Sequence, residues 1–134
     1  MMRHIRNLLG VKTVFGLGCL YTGVLTTLLL TPSKGLPATI QIPFLDKWAH
    51  IAALFILTYV WLLFRRLSLS KKIGPLQVVF FCFIYGIIIE AIQHWFTASR
   101  TADVLDMVAN GIGCLLGYLV FVKTQNIFIS QKTI

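Results

Sequence analysis

The chain has 134 residues, of which 57% are apolar and only 12% charged, against the roughly one-quarter charged of a soluble domain. That balance excludes a water-soluble globule. Four spans of about 20 residues would use most of the apolar inventory, so a single membrane domain over residues 1–134 is expected. Twelve Lys and Arg against four acids give a net charge of +8; such a surplus means nucleic acid in a soluble chain and basic flanks in a membrane chain, so its placement decides.

The first span covers about residues 11–31 and ends in the breaker run Pro32, Ser33, Lys34, Gly35. The second, about 47–64, carries His50 and stops at the basic cluster Arg65, Arg66, Lys71, Lys72. The third, about 75–96, is opened by Gly74-Pro75, Pro being tolerated in a first helical turn, and holds Glu90, Gln93 and His94 in its last two turns. The fourth, about 103–122, has Asp106 and Asn110 in its first two turns, with Gly113 and Gly117 beyond them. In a bilayer every backbone polar group must be paired internally, so runs of this length read as helices, and no alternating pattern indicates a barrel. The expected class is all-α: a polytopic bundle of four transmembrane helices.

Nine basic residues (Arg3, Arg6, Lys12, Arg65, Arg66, Lys71, Lys72, Lys123, Lys132) flank one side and three (Lys34, Lys47, Arg100) the other, which places both termini in the cytoplasm. The surplus therefore marks a membrane face and its anionic lipids; the lipid bilayer is the expected partner and nucleic acid is not. Arg3, Arg6 and Lys12 before an apolar run imitate a signal peptide, but the run is longer than a typical h-region and no small-x-small site follows, so an uncleaved span is expected. Cys19, Cys82 and Cys114 lie inside spans without CxxC spacing and read as small buried hydrophobes.

All four acids, Asp46, Glu90, Asp103 and Asp106, fall on the side opposite the basic loops. With that topology Asp46, Lys47, His50, Glu90, Gln93, Arg100, Asp103, Asp106 and Asn110 gather at one end, on three helices and a short loop. Residues three or four apart share a helix face: Asp46 aligns with His50, Glu90 with Gln93, and Asp103, Asp106 and Asn110 form a stripe. Glu90 lies about 9 Å below Phe96 along its helix and Asn110 about 10 Å from Asp103, so these two are expected at similar depth. An ionisable residue at such depth is costly and marks a functional site by default. Asp46 and Asp103 also sit where helix N-caps are wanted, Lys47 is placed to snorkel, and His94 is read as interfacial packing. The i,i+4 pairs Asp46/His50 and Glu90/His94 offer metal ligands, but neither is HExxH; no metal and no other cofactor is expected. Gly113 and Gly117 form a GxxxG pattern with Gly111 nearby, read as close packing inside one bundle rather than dimerisation.

The order Asp46-Lys47-x-x-His50, Glu90-x-x-Gln93, then Arg100-x-x-Asp103-x-x-Asp106-x-x-x-Asn110-Gly111-x-Gly113 resembles the VanZ-like family of small bacterial membrane proteins, across residues 46–117. The resemblance implies a four-helix protein of the bacterial inner membrane, associated in some members with tolerance of glycopeptide antibiotics, notably teicoplanin. Where many members carry Pro before the Arg motif, this chain has Thr97-Ala98-Ser99. Three functions are open. The first is a non-enzymatic envelope protein whose outward polar pocket binds a cell-wall precursor, another lipid-linked ligand or the glycopeptide itself, with Lys47 and Arg100 engaging carboxylate or phosphate. The second is a membrane enzyme on a lipid-linked substrate, with His50, Glu90 and Asp106 as candidate acid and base groups and Arg100 stabilising developing negative charge. The third is a small proton-coupled transporter.

Overall fold

The structure, a computed structural model, describes the backbone of residues 2–30, 45–68, 72–96 and 104–130, and within these the side chains of 10–30, 47–68, 72–93, 95 and 104–124. Among the described residues there are four helices and no strand: α1 (Met2–Leu30), α2 (Leu45–Leu67), α3 (Pro75–Phe96) and α4 (Val104–Ser130). Each holds a stretch long and apolar enough to cross a membrane: Gly10–Leu30, Lys47–Leu67, Pro75–Gln93 and Val104–Thr124. Large apolar side chains cover the outside, Leu20 at 65% exposure and Trp95 at 86% among them, as a hydrocarbon solvent permits and water would not.

Three helices overrun the spans expected from hydropathy. α1 begins at Met2 rather than near residue 11, α2 continues past Arg65 and Arg66 to Leu67, and α4 runs to Ser130 rather than 122. Charge ends a hydrocarbon span but not a helix, because Arg and Lys are good helix formers. At 29 residues α1 is about 43 Å long, well over the roughly 30 Å of a hydrocarbon core. The α2–α3 turn is fixed locally: Arg65 Nε donates to the Ile73 carbonyl. The Gly74 amide donates to Gln77 Oε1 at 2.8 Å, and the Val78 amide to the Gly74 carbonyl at 3.2 Å. With Pro75 as the first helical residue, Gly74 and Gln77 form the N3-to-N-cap half of a capping box.

α2 is the hub of the bundle, packing on all three other helices and most extensively on α4, whereas α1 and α4 do not meet among the described residues. The reason for the α2–α4 preference is the small-residue stripe of α4. A Cβ added to Gly113 would lie 2.5 Å from the Ile51 carbonyl oxygen and one added to Gly117 2.8 Å from that of Phe55, so the two backbones touch along two successive turns. The GxxxG pattern is thus used inside the bundle. Gly111 looks elsewhere, with the Phe83 ring of α3 at 3.3 Å from its would-be Cβ. Leu54, Leu57 and Cys114 form the buried centre, joined by Leu25 and Cys82.

α1 is held by polar hooks as much as by burial. Tyr21 donates to the Ala53 carbonyl at 2.8 Å and Trp61 Nε1 to Thr22 Oγ1 at 3.2 Å. Thr26 and Tyr85 share a hydroxyl–hydroxyl bond of 2.6 Å. With no water inside a bilayer, these groups find partners only on neighbouring helices or on their own turn, and Thr22 and Thr26 also donate back to the carbonyls of Gly18 and Thr22 at 2.7 Å. Below the hooks, toward Arg65 and Lys72, an apolar cleft of about 560 Å³ opens between α1, α2 and α3, walled by Leu57, Trp61, Phe64 and Phe81.

Candidate functional site

The opposite end of the bundle is built from the first turns of α2 and α4 and the last turns of α3. α2 and α4 run parallel and start together, α3 runs antiparallel and ends there, so the three polar stretches of the sequence are brought to one level. Lys47 and His50 are three apart on α2 and share its inner face; Asp106 lies in the first turn of α4, where a negative charge suits the positive helix end.

Lys47 Nζ donates to Asp106 Oδ1 at 2.9 Å, with 18% and 10% of the two side chains exposed. This is a charge-assisted bond largely withdrawn from solvent. Behind it His50 is 3% exposed and Glu90 4%. His50 Nε2 stands 4.0 Å from Asp106 Oδ2, beyond hydrogen-bond reach, and His50 Nδ1 has no hydrogen-bond partner among the described residues. One ligand-capable atom from each of His50, Glu90 and Asp106 lies within 4.8 Å of the other two. Three helices thus converge on a buried imidazole between two carboxylates, with a lysine at the mouth.

The depth expected for the polar groups needs one adjustment. Glu90 meets Asp106. Asn110 lies one turn further in, opposite Gly86: a Cβ on Gly86 would sit 2.9 Å from Asn110 Nδ2, and Asn110 is 1% exposed. On antiparallel helices a step of four residues toward the middle on one is matched by four on the other, so Glu90/Asp106 and Gly86/Asn110 form successive rungs. Gly86 was missed from the sequence; its only signal was a glycine in the middle of an apolar helix, where it costs about 1 kcal/mol against Ala. Gln93 is buried and its Nε2 donates to the Leu29 carbonyl of α1, tying the end of α1 to the site's rim. Of the remaining candidates, Arg100 and Asp103 lie outside the described residues, as do the side chains of Asp46 and His94, whose backbones belong to α2 and α3.

The metal pairs read from spacing, Asp46/His50 and Glu90/His94, each sat on one helix. The donor set in the structure has another composition, one residue from each of α2, α3 and α4.

Fold and cluster together define a class: a small polytopic helical membrane protein with an ionisable site enclosed by three of its spans. The sequence matches the profile of the VanZ/LLP1 family over residues 7–128, nearly its whole length, and the chain belongs to that family. It is also similar to an uncharacterized protein of the fission yeast Schizosaccharomyces pombe, 28% identical over 93 residues. That match covers 69% of this chain and 56% of the yeast protein, so the chain spans about half the length of that relative. No solved structure matches.

Proposed function

We propose that the cluster is a receptor site on the extracytoplasmic face of the membrane for the anionic headgroup of a lipid-linked or cell-wall ligand. The observation that carries this reading is the Lys47–Asp106 pair at the mouth of an otherwise buried His50–Glu90–Asp106 group. A lysine already desolvated and held by one carboxylate exchanges that partner for a phosphate or carboxylate at little further desolvation cost, and the sequence offers Arg100, six residues before Asp106, as a candidate second cation for a bidentate contact. Tolerance of teicoplanin would follow in a bacterial member whose ligand is a wall precursor or the glycopeptide. The other half of the bundle has no acid in its sequence and holds an apolar cleft, which weighs against a proton-coupled path. An enzymatic use keeps one specific support, the imidazole set beside two carboxylates, the arrangement general acid–base catalysis needs.

Two measurements test the reading. Purified full-length protein in nanodiscs should bind a fluorescent polyprenyl-pyrophosphate wall precursor, and Lys47→Ala with Arg100→Ala should weaken binding at least tenfold; unchanged affinity rejects the site. The sidedness is read from single cysteines in a background without Cys19, Cys82 and Cys114. Lys34→Cys should react with an impermeant thiol reagent added outside intact cells and Lys71→Cys should not, and the reverse pattern would turn the site toward the cytoplasm.

A further inference from the structure

We propose that His50, Glu90 and Asp106 form a binding site for a divalent metal ion of the zinc class. This departs from the expectation of no metal, which rested on pairs along single helices; the three donors come from three helices and meet only in the folded bundle.

The first support is geometry. Zinc takes imidazole nitrogen and carboxylate oxygen at about 2.0–2.2 Å, which sets the donors around one ion roughly 3–4 Å apart. His50 Nε2 and Asp106 Oδ2 are 4.0 Å apart, and a donor atom of Glu90 completes a set within 4.8 Å. The second support is the imidazole itself. His50 is buried to 3% exposure with its Nε2 4.0 Å from Asp106 Oδ2, beyond hydrogen-bond reach, so this nitrogen faces the carboxylate without bonding to it, and a neutral imidazole is the commonest protein ligand for metal. Charge is the third. The described group sets two carboxylates, Glu90 and Asp106, against one ammonium, Lys47, an excess of one negative charge in a largely buried space that a bound cation offsets.

The donor chemistry selects among metals. One imidazole with two carboxylates suits Zn²⁺ and its neighbours such as Mn²⁺ and Co²⁺; Mg²⁺ and Ca²⁺ prefer all-oxygen sets, and soft ions prefer the thiolates this site lacks. Three protein ligands leave a coordination position open, and the Lys47 ammonium stands beside the group, 2.9 Å from Asp106 Oδ1. An incoming phosphate oxygen would bind the ion while a second oxygen meets the ammonium. The metal thus deepens the headgroup reading and rests on it only for this last contact. Lys47 also competes with the metal for Asp106, since its Nζ already holds Oδ1, which gives the proposal an unusual prediction: removing the cation should tighten metal binding.

The experiment uses the full-length chain in detergent, stripped with chelator and equilibrated with Zn²⁺ or Co²⁺ alone, without any organic ligand. One metal per chain is expected by elemental analysis, and the Co²⁺ form should show visible bands of a low-symmetry nitrogen–oxygen site without a thiolate charge-transfer band. His50→Asn and Glu90→Gln should each weaken binding at least tenfold, whereas Lys47→Met should strengthen it about tenfold, the direction set by removing a like charge. Because Lys47→Met raises affinity, a misfolded variant does not imitate it. Less than a stoichiometric ion in the wild type, a thiolate band from Cys82 or Cys114, or binding indifferent to His50→Asn and Glu90→Gln overturns the proposal. Metal bound as expected with no effect on binding of the polyprenyl pyrophosphate keeps the metal site and overturns the contact between the ion and an incoming phosphate.

Discussion

Gly113→Ala is expected to lower the thermal midpoint of the detergent-purified protein by roughly 5–10 °C, the equivalent of about 2 kcal/mol for a chain of this size. The new methyl carbon would fall 2.5 Å from the Ile51 carbonyl oxygen and 3.1 Å from Leu54 Cβ. The obstacle is backbone, not the free end of a side chain, so α2 and α4 must separate along their length. Overpacking of this kind costs about 1–3 kcal/mol or more, against a gain of up to about 1 kcal/mol from replacing glycine in a helix. Gly117→Ala should do the same to a smaller degree, its nearest atom being the Phe55 carbonyl oxygen at 2.8 Å. Gly16 and Gly23 of α1 provide the control, since an added Cβ there meets nothing within 4 Å; Ala at either should leave the midpoint unchanged or raise it. Equal losses at Gly113 and Gly23 would show that the α2–α4 contact is not set by these glycines.

The second large effect belongs to the Lys47–Asp106 pair. Asp106→Asn in chelator-treated protein should cost about 2–4 kcal/mol, because it takes away the carboxylate that Lys47 Nζ holds at 2.9 Å in a place largely out of solvent. Lys47→Met alone should cost a similar amount through Asp106 and Glu90, two carboxylates then sharing one buried space. The double variant should lose clearly less than the sum of the two, a coupling of about 1–3 kcal/mol for groups in direct contact. Thermal or denaturant unfolding of the four proteins measures it. Additive losses would mean that the 2.9 Å contact adds nothing beyond each residue's own burial.

Hydropathy and the placement of Lys and Arg made the four spans legible, because a hydrocarbon solvent leaves the chain no other way to satisfy its backbone. It could not locate the helix ends: Arg65 and Arg66 terminate the apolar run and still lie within α2. The gathering of Lys47, His50, Glu90 and Asp106 was legible from topology and turn counting, since antiparallel spans joined by short loops bring their ends together. The rung on which each group sits was not. Periodicity gives the face of a helix but neither its rotation against a neighbour nor the axial shift between the two, and Asn110 therefore proved to lie opposite Gly86. The hooks on α1 were invisible for a related reason: Thr22, Thr26, Tyr21 and Tyr85 are ordinary residues of apolar helices until Trp61, Ala53 and one another are placed beside them.

The rung formed by Gly86 and Asn110 binds two positions into one evolutionary unit. Any side chain at position 86 would enter the 2.9 Å space now held by the Asn110 amide, and a smaller residue at position 110 would leave a void beside Gly86 in the middle of the bundle. Neither position can drift alone without a penalty, whereas a simultaneous exchange, Ala at 86 with Ser or Ala at 110, keeps the volume and relocates it. Members of the family should therefore fall into two groups, glycine facing amide or small residue facing small residue, and intermediates that mix a side chain at 86 with Asn at 110 should be rare because each is a step through a crowded or hollow bundle.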